Sequence, residues 1–232
     1  LVAQNAATVN GRALGKAMEQ LSTGKRINTA ADDAAGLAIS NKMTNQIRGL
    51  NQAVRNANDG ISMIQTAEGA TQEVTNMLQR MRELALQAAN ATNTADDRQY
   101  IQLEVKELQS EITRIGDNTQ WNGMNISKGV TTAGVAKATF QVGANGSQVI
   151  TVAFKNTASV AGMTSAGAAT VSTVTKSNSA ITAIDNALKG IDSYRATLGA
   201  KINRLTYAAD NLSNISANAT ASRSRIADTA YA

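Results

Sequence analysis

Adjacent carboxylates occur twice in this chain, at Asp32-Asp33 and Asp96-Asp97, and paired carboxylates are the usual apparatus of general acid–base chemistry. Neighbouring side chains point apart, however; the sequence has no His and no Cys, and neither pair has a further acidic cluster beside it to complete a catalytic set. An Asp just ahead of an apolar-periodic run has a commoner role as a helix cap. Its carboxylate there accepts a hydrogen bond from a first-turn N–H that has no partner within the helix. The sequence predicts this role for Asp32 or Asp33 and for Asp96 or Asp97. Gly143-Ala-Asn-Gly146 has the look of a phosphate cradle, but no G-x-x-x-x-G-K-[ST] pattern is present and its flanks alternate like strands, so a hairpin turn is expected. Lys128, Lys137, Lys155 and Lys176 lie in a stretch, Asn118 to Ile184, that contains no Asp or Glu at all. They are candidate contacts for an anionic polysaccharide. With imidazole and thiolate missing, no metal site, no cofactor and no enzymatic activity are expected.

Composition narrows the class further. The 232 residues include one Trp, four Tyr and two Phe, so packing must rest on Ala, Leu, Ile and Val, which suits thin seams between helices. There is no Pro, hence no slowly isomerising X–Pro bond, and without Cys there is no crosslink. The net charge is +5, but neither aromatic interleaving nor a compact Lys/Arg run accompanies it, and no nucleic-acid partner is expected. No apolar run is long enough to span a membrane, and no secretory leader is visible.

The elements that position these residues are mostly helical. From Met43 the apolar positions run Met43, Ile47, Leu50, Val54, Ala57, Ile61 and Ile64, in steps of three and four that keep one stripe toward a partner. A helix is predicted from Ala34 to about Asn90, passing through Gly60 at a cost of about 1 kcal/mol. A shorter helix with Leu14, Met18 and Leu21 precedes it and stops at Ser22-Thr23-Gly24. Another, carrying Ile101, Val105, Leu108, Ile112 and Ile115, follows as an antiparallel neighbour. Thr139 to Val142 and Val149 to Phe154 read as a hairpin, with a further short strand conceivable at Val171 to Val174. A last helix runs from about Ser177 to beyond Ala217. The expected fold is mainly α: an elongated helical bundle built from both chain ends, with a small β-hairpin module in the middle. Its predicted parts are residues 1–33 (N-terminal helix and connector), 34–117 with 177–232 (helical rod) and 118–176 (tip).

Several separated stretches resemble bacterial flagellins. They include Leu21-Ser-Thr-Gly-Lys-Arg-Ile-Asn-Thr-Ala-Ala-Asp-Asp-Ala-Ala-Gly-Leu-Ala-Ile-Ser40, Asn56-Ala-Asn-Asp-Gly-Ile-Ser-Met-Ile-Gln-Thr-Ala-Glu-Gly69 and Gln79-Arg-Met-Arg-Glu-Leu-Ala-Leu-Gln-Ala-Ala-Asn90. Near the end, Leu198-Gly-Ala, Asn203-Arg-Leu205 and Ser224-Arg-Ile-Ala-Asp-Thr-Ala-Tyr-Ala232 belong to the same set. The resemblance implies a structural subunit of the flagellar filament, extracellular and exported without a cleaved signal peptide. Its implied partners are other copies of itself and the flagellar export and capping machinery. It also implies that pieces of both terminal segments lie outside this chain, that large outer domains are absent, and that Arg80, Leu84 and Glu104 belong to a patch detected by a host innate-immune receptor.

Overall fold

Apolar residues recurring every three or four positions give this protein two very long helices. The computed structural model describes residues 2–126, 136–160, 162 and 169–229. In chain order the elements are α1 (Val2–Thr23), α2 (Ala34–Ala89), α3 (Ala95–Asn118), β1 (Gln120–Trp121), β2 (Met124–Asn125), β3 (Ala136–Gln141), β4 (Val149–Phe154), α4 (Thr157–Val160) and α5 (Val174–Ala227). The chain divides into two compact units. One comprises Leu1–Asn56, Val142–Gln148 and Ala208–Ala232; the other comprises Ala57–Gln141 and Val149–Tyr207.

The second unit holds the larger core. Val74, Leu78, Met81, Leu84 and Ala85 of α2 meet Ile101, Val105 and Ile112 of α3 and Ala180, Ile184 and Ile191 of α5, all nearly inaccessible to water. Residues three and four apart on each helix supply one face each, so three stripes close on one another. The α2–α3 connection is fixed by side chains that satisfy the helix ends. Arg98 donates to the Ala88 carbonyl (2.9 Å) and the Asn90 carbonyl (3.1 Å) at the end of α2, where carbonyls lack intrahelical partners. The predicted Asp cap of α3 is corrected here. Thr94 is the N-cap, its hydroxyl accepting from the Asp97 N–H, while the Asp97 carboxylate accepts from the Thr94 N–H at 2.9 Å. This is a reciprocal capping box.

After α3 the chain makes a two-residue hairpin where the sequence reading has only a helix end. Gln120 pairs with Asn125 and Trp121 with Met124, around Asn122 (φ 48°) and Gly123 (φ 75°). Positive φ at both central residues matches the twist of the flanking strands, which is why Asn-Gly serves there. The main hairpin, β3–β4, is antiparallel with Phe140 opposite Ile150 and Ala138 opposite Val152. Ile150, Val152 and Phe154 are buried and Val149 and Thr151 exposed, the expected period of two. Gly60 now has a reason. A Cβ at Gly60 would lie 3.0–3.2 Å from the Phe140 ring, so the helix gives up propensity to let the hairpin approach.

The conceivable strand at Val171 to Val174 does not form. The Val171 N–H donates to the Gln102 side-chain oxygen (2.6 Å), the Ala169 carbonyl accepts from the Gln109 side chain (3.1 Å), and Thr173 caps α5 by accepting from the Lys176 N–H (3.3 Å). Side chains of α3 thus take the backbone groups a strand would have paired. The buried Tyr194 hydroxyl accepts from the Lys155 N–H (3.1 Å) just beyond β4; burial raises its pKa, and this bond works in the opposite sense.

In the first unit, Leu50 and Ala53 of α2 pack on Leu212 of α5, with Val54 and Val142 alongside. Ser216 donates to the Asn51 side chain (2.7 Å) across the same seam. Asp33 is the cap of α2, accepting from the Gly36 N–H at 2.8 Å. Its neighbour Asp32 does something else. It accepts from the Asn28 and Thr29 N–H groups (3.1 and 3.0 Å) and pairs with the Lys16 ammonium (2.9 Å), and Lys16 first, then those N–H groups, hold its carboxyl far below the ordinary range.

Candidate assembly surfaces

Neither carboxylate pair is arranged for proton transfer. Asp32 and Asp33 order the connector and cap α2, and Asp97 completes the cap of α3. The Gly143–Gly146 stretch is the turn between β3 and β4, where the Gln148 side chain accepts from the Asn145 N–H at 3.1 Å.

Arg80 and Glu104 do come together. Nε and Nη2 of Arg80 lie 2.9 and 2.8 Å from Oε1 of Glu104, and Nη1 lies 3.2 Å from Glu83. Hydrogen bonding to Glu104, then to Glu83, raises the guanidinium pKa further. Both partners are about half exposed, so solvent screens the pair and it presents a surface more than it holds the fold. Leu84 is not part of that surface; at 2% exposure it belongs to the core beneath. Sequence reading does not find a second pair, Arg82 with Asp185 at 2.7 Å, which ties α2 to α5. No local spacing could have revealed it, since the partners are 103 residues apart.

Three of the four lysines lie among the described residues. Lys137 stands opposite Ala153 in the hairpin, and Lys155 follows directly after β4. Lys176 lies in the first turn of α5 beside Ser172, and Lys128 lies outside the described residues.

Two further features are invisible in the sequence. Gly24–Ile27 and Ile226–Thr229 form a small clasp. The Arg26 N–H donates to the Ala227 carbonyl (2.7 Å), the Thr229 N–H to the Gly24 carbonyl (3.1 Å), and the Arg26 guanidinium to the Ile226 carbonyl (2.8 and 3.2 Å). A cation there complements the carbonyl end of α5. The other feature is α1. None of its residues is buried, and Val9, Leu14, Met18 and Leu21 are 58–67% exposed. An amphipathic helix with a bare apolar face calls for a partner surface. No helix among the described residues is long and apolar enough to cross a membrane, so this face is not a membrane span.

Comparison with known proteins identifies the family. Residues 1–132 match the bacterial flagellin N-terminal helical region, and residues 181–232 match the C-terminal helical region. The chain is 48% identical to a flagellin of Halalkalibacterium halodurans, over 92% of this chain and 77% of the relative. It is 44% identical to the flagellar filament 33 kDa core protein of Treponema phagedenis, over 92% and 78%. The crystal structure of Bacillus cereus flagellin is similar with a TM-score of 0.59 at 31% identity, covering 68% of this chain and 88% of that one. Nothing in these relatives supports polysaccharide binding as a function. The chain belongs to the bacterial flagellin family and is a structural subunit of the flagellar filament, an extracellular assembly.

Proposed function

We propose that this subunit polymerises by burying α1 against other copies of the chain. The observation that carries the proposal is the bare apolar face of a 22-residue helix with no buried residue. Each Leu or Met removed from water contributes about 1.5–3 kcal/mol, so Leu14, Met18 and Leu21 together supply a substantial share of a subunit contact. The test is Leu14→Asp with Met18→Asp in the full-length protein. Light scattering and electron microscopy should show filament growth abolished, while the thermal melt of the free subunit stays where it was. Normal filaments from the double variant would refute this role for α1.

Two finer roles go with the family reading. Export as an unfolded chain by the flagellar machinery, without a cleaved leader, suits a sequence with no Cys and no Pro, which has neither a crosslink to reduce nor an X–Pro bond to isomerise on refolding. Detection by a host innate-immune receptor would use Arg80 and Glu104, with Leu84 acting from beneath through packing. Arg80→Ala and Glu104→Ala should each weaken a receptor-reporter response to the free subunit, and unchanged responses would remove these residues from that role.

A further inference from the structure

Charge is divided unevenly between the two units. The first has nine Lys and Arg against five Asp and Glu, a net of +4, while the second has thirteen against twelve, a net of +1. The surplus in the first unit is concentrated on α2, which carries no carboxylate from Ala34 to Asn58 but exposes Lys42, Arg48 and Arg55. None of the three has an acidic partner among the described residues; the Arg55 guanidinium reaches only the Gln52 side-chain oxygen, at 2.6 Å. Ile39, 48% exposed, stands one turn before Lys42.

In the second unit α3 has the opposite balance, with six carboxylates against three cations. Asp96, Tyr100, Leu103 and Glu107, spaced four, three and four apart, form one stripe on its solvent side. Tyr100 is 70% exposed and Leu103 62%, large values for such side chains. Glu104 and Glu111 are neutralised by Arg80 and Arg114, but Asp96 and Glu107 have no cation within pairing distance among the described residues. The result is an apolar pair flanked by free negative charge.

We propose that the α3 stripe of one copy docks on the basic, acid-free segment of α2 in the next copy. This rests on the filament role and assigns surfaces to it. Opposite charges orient the encounter, and burial of Tyr100 and Leu103 contributes the non-directional attraction. The two faces differ, so the contact is heterologous and leaves each copy with an unused half of the pair, which is the condition for open growth. A polyanion is the wrong occupant for α3, whose own charge would repel it.

Two sets of variants in the full-length protein test the pairing: Asp96→Lys with Glu107→Lys, and Arg48→Glu with Arg55→Glu. Each set should slow seeded filament growth at low salt by about tenfold or more, the scale of electrostatic steering, while the thermal melt of the free subunit falls by no more than a few degrees, the part due to Asp96 at the start of α3. Copies carrying both sets, with the charges exchanged, should grow close to the parental rate. Parental growth by either set, or a combined variant no better than the worse of the two, would overturn the pairing. Because the chain has no Cys, Leu103→Cys in one copy and Gln52→Cys in another can also be mixed and oxidised in filaments. A disulfide-linked pair of unlike copies is expected, and its absence would overturn the pairing. Filament formation by the parent reports on the underlying role, so filaments without this crosslink would refute only the assigned surfaces.

Discussion

Two helices of nearly equal length, α1 and α3, carry apolar residues at the same spacing, yet one is covered and the other bare. Ile101, Val105 and Ile112 of α3 are at most 9% exposed, whereas Leu14, Met18 and Leu21 of α1 are 58–67% exposed. Periodicity states that a helix has a face to hide; it does not say which chain will hide it. If α1 takes the role proposed for it, that distinction divides residues that hold the monomer together from residues that hold monomers to each other.

The sharpest way to break this comparison is to place the same charge in both settings. Leu205→Asp, at a site with no exposure, should cost several kcal/mol and lower the melting temperature of the free subunit by many degrees, because the carboxylate has no partner in the seam. Leu14→Asp should change that stability by about 0.5 kcal/mol or less. Equal losses in denaturant titrations would mean that α1 is packed within the monomer. A milder cut, Ile184→Ala in the second unit's core, should cost about 2–5 kcal/mol by the same measurement.

Gly60 and Gly69 extend the comparison along α2. Gly60→Ala forces its new methyl into the Phe140 ring and should destabilise by about 1–3 kcal/mol, despite the better helix former. Gly69→Ala meets nothing within 4 Å and should stabilise by about 0.5–1 kcal/mol. Thermal melts that moved in the same direction for both would sink the hairpin packing described here.

At the α3 cap, Thr94→Ala should cost about 1 kcal/mol. The Thr94 hydroxyl and then its N–H lower the Asp97 pKa in the folded chain. The stabilisation is therefore complete above the ordinary carboxylate pKa and lost as pH falls through the lowered value. Stability followed by circular dichroism from neutral to acid pH should fall less steeply in Thr94→Ala. The smallest effect is expected from Lys137→Gln, Lys155→Gln and Lys176→Gln, each within about 0.5 kcal/mol of the parent.

Much of the fold is legible because α2, α3 and α5 announce themselves through long stripes such as Ile47–Leu50–Val54 and Ile184–Leu188–Ile191. The strand alternation of Ile150, Val152 and Phe154 is equally plain. What escapes reading depends on partners distant in sequence. Val171 looks like a strand residue until Gln102 takes its N–H, and Arg82 gives no sign of Asp185. The clasp between Arg26 and Ile226 joins residues 200 apart. Asn122-Gly123 and the Thr94–Asp97 box are local signals, and there two neighbouring Asp residues draw the cap assignment away from Thr94. Of the candidate site, the Arg80–Glu104 juxtaposition follows from a short antiparallel connection. The burial of Leu84 and the bare face of α1 require knowing which surfaces close.

Backbone amide hydrogen exchange in α1, compared between free subunits and filaments, tests most directly whether that face is reserved for neighbouring copies. Exchange across Val2–Thr23 should be fast in the free subunit and slow by orders of magnitude in the filament, while α3 is protected in both. Equal protection of α1 in the two states would contradict it.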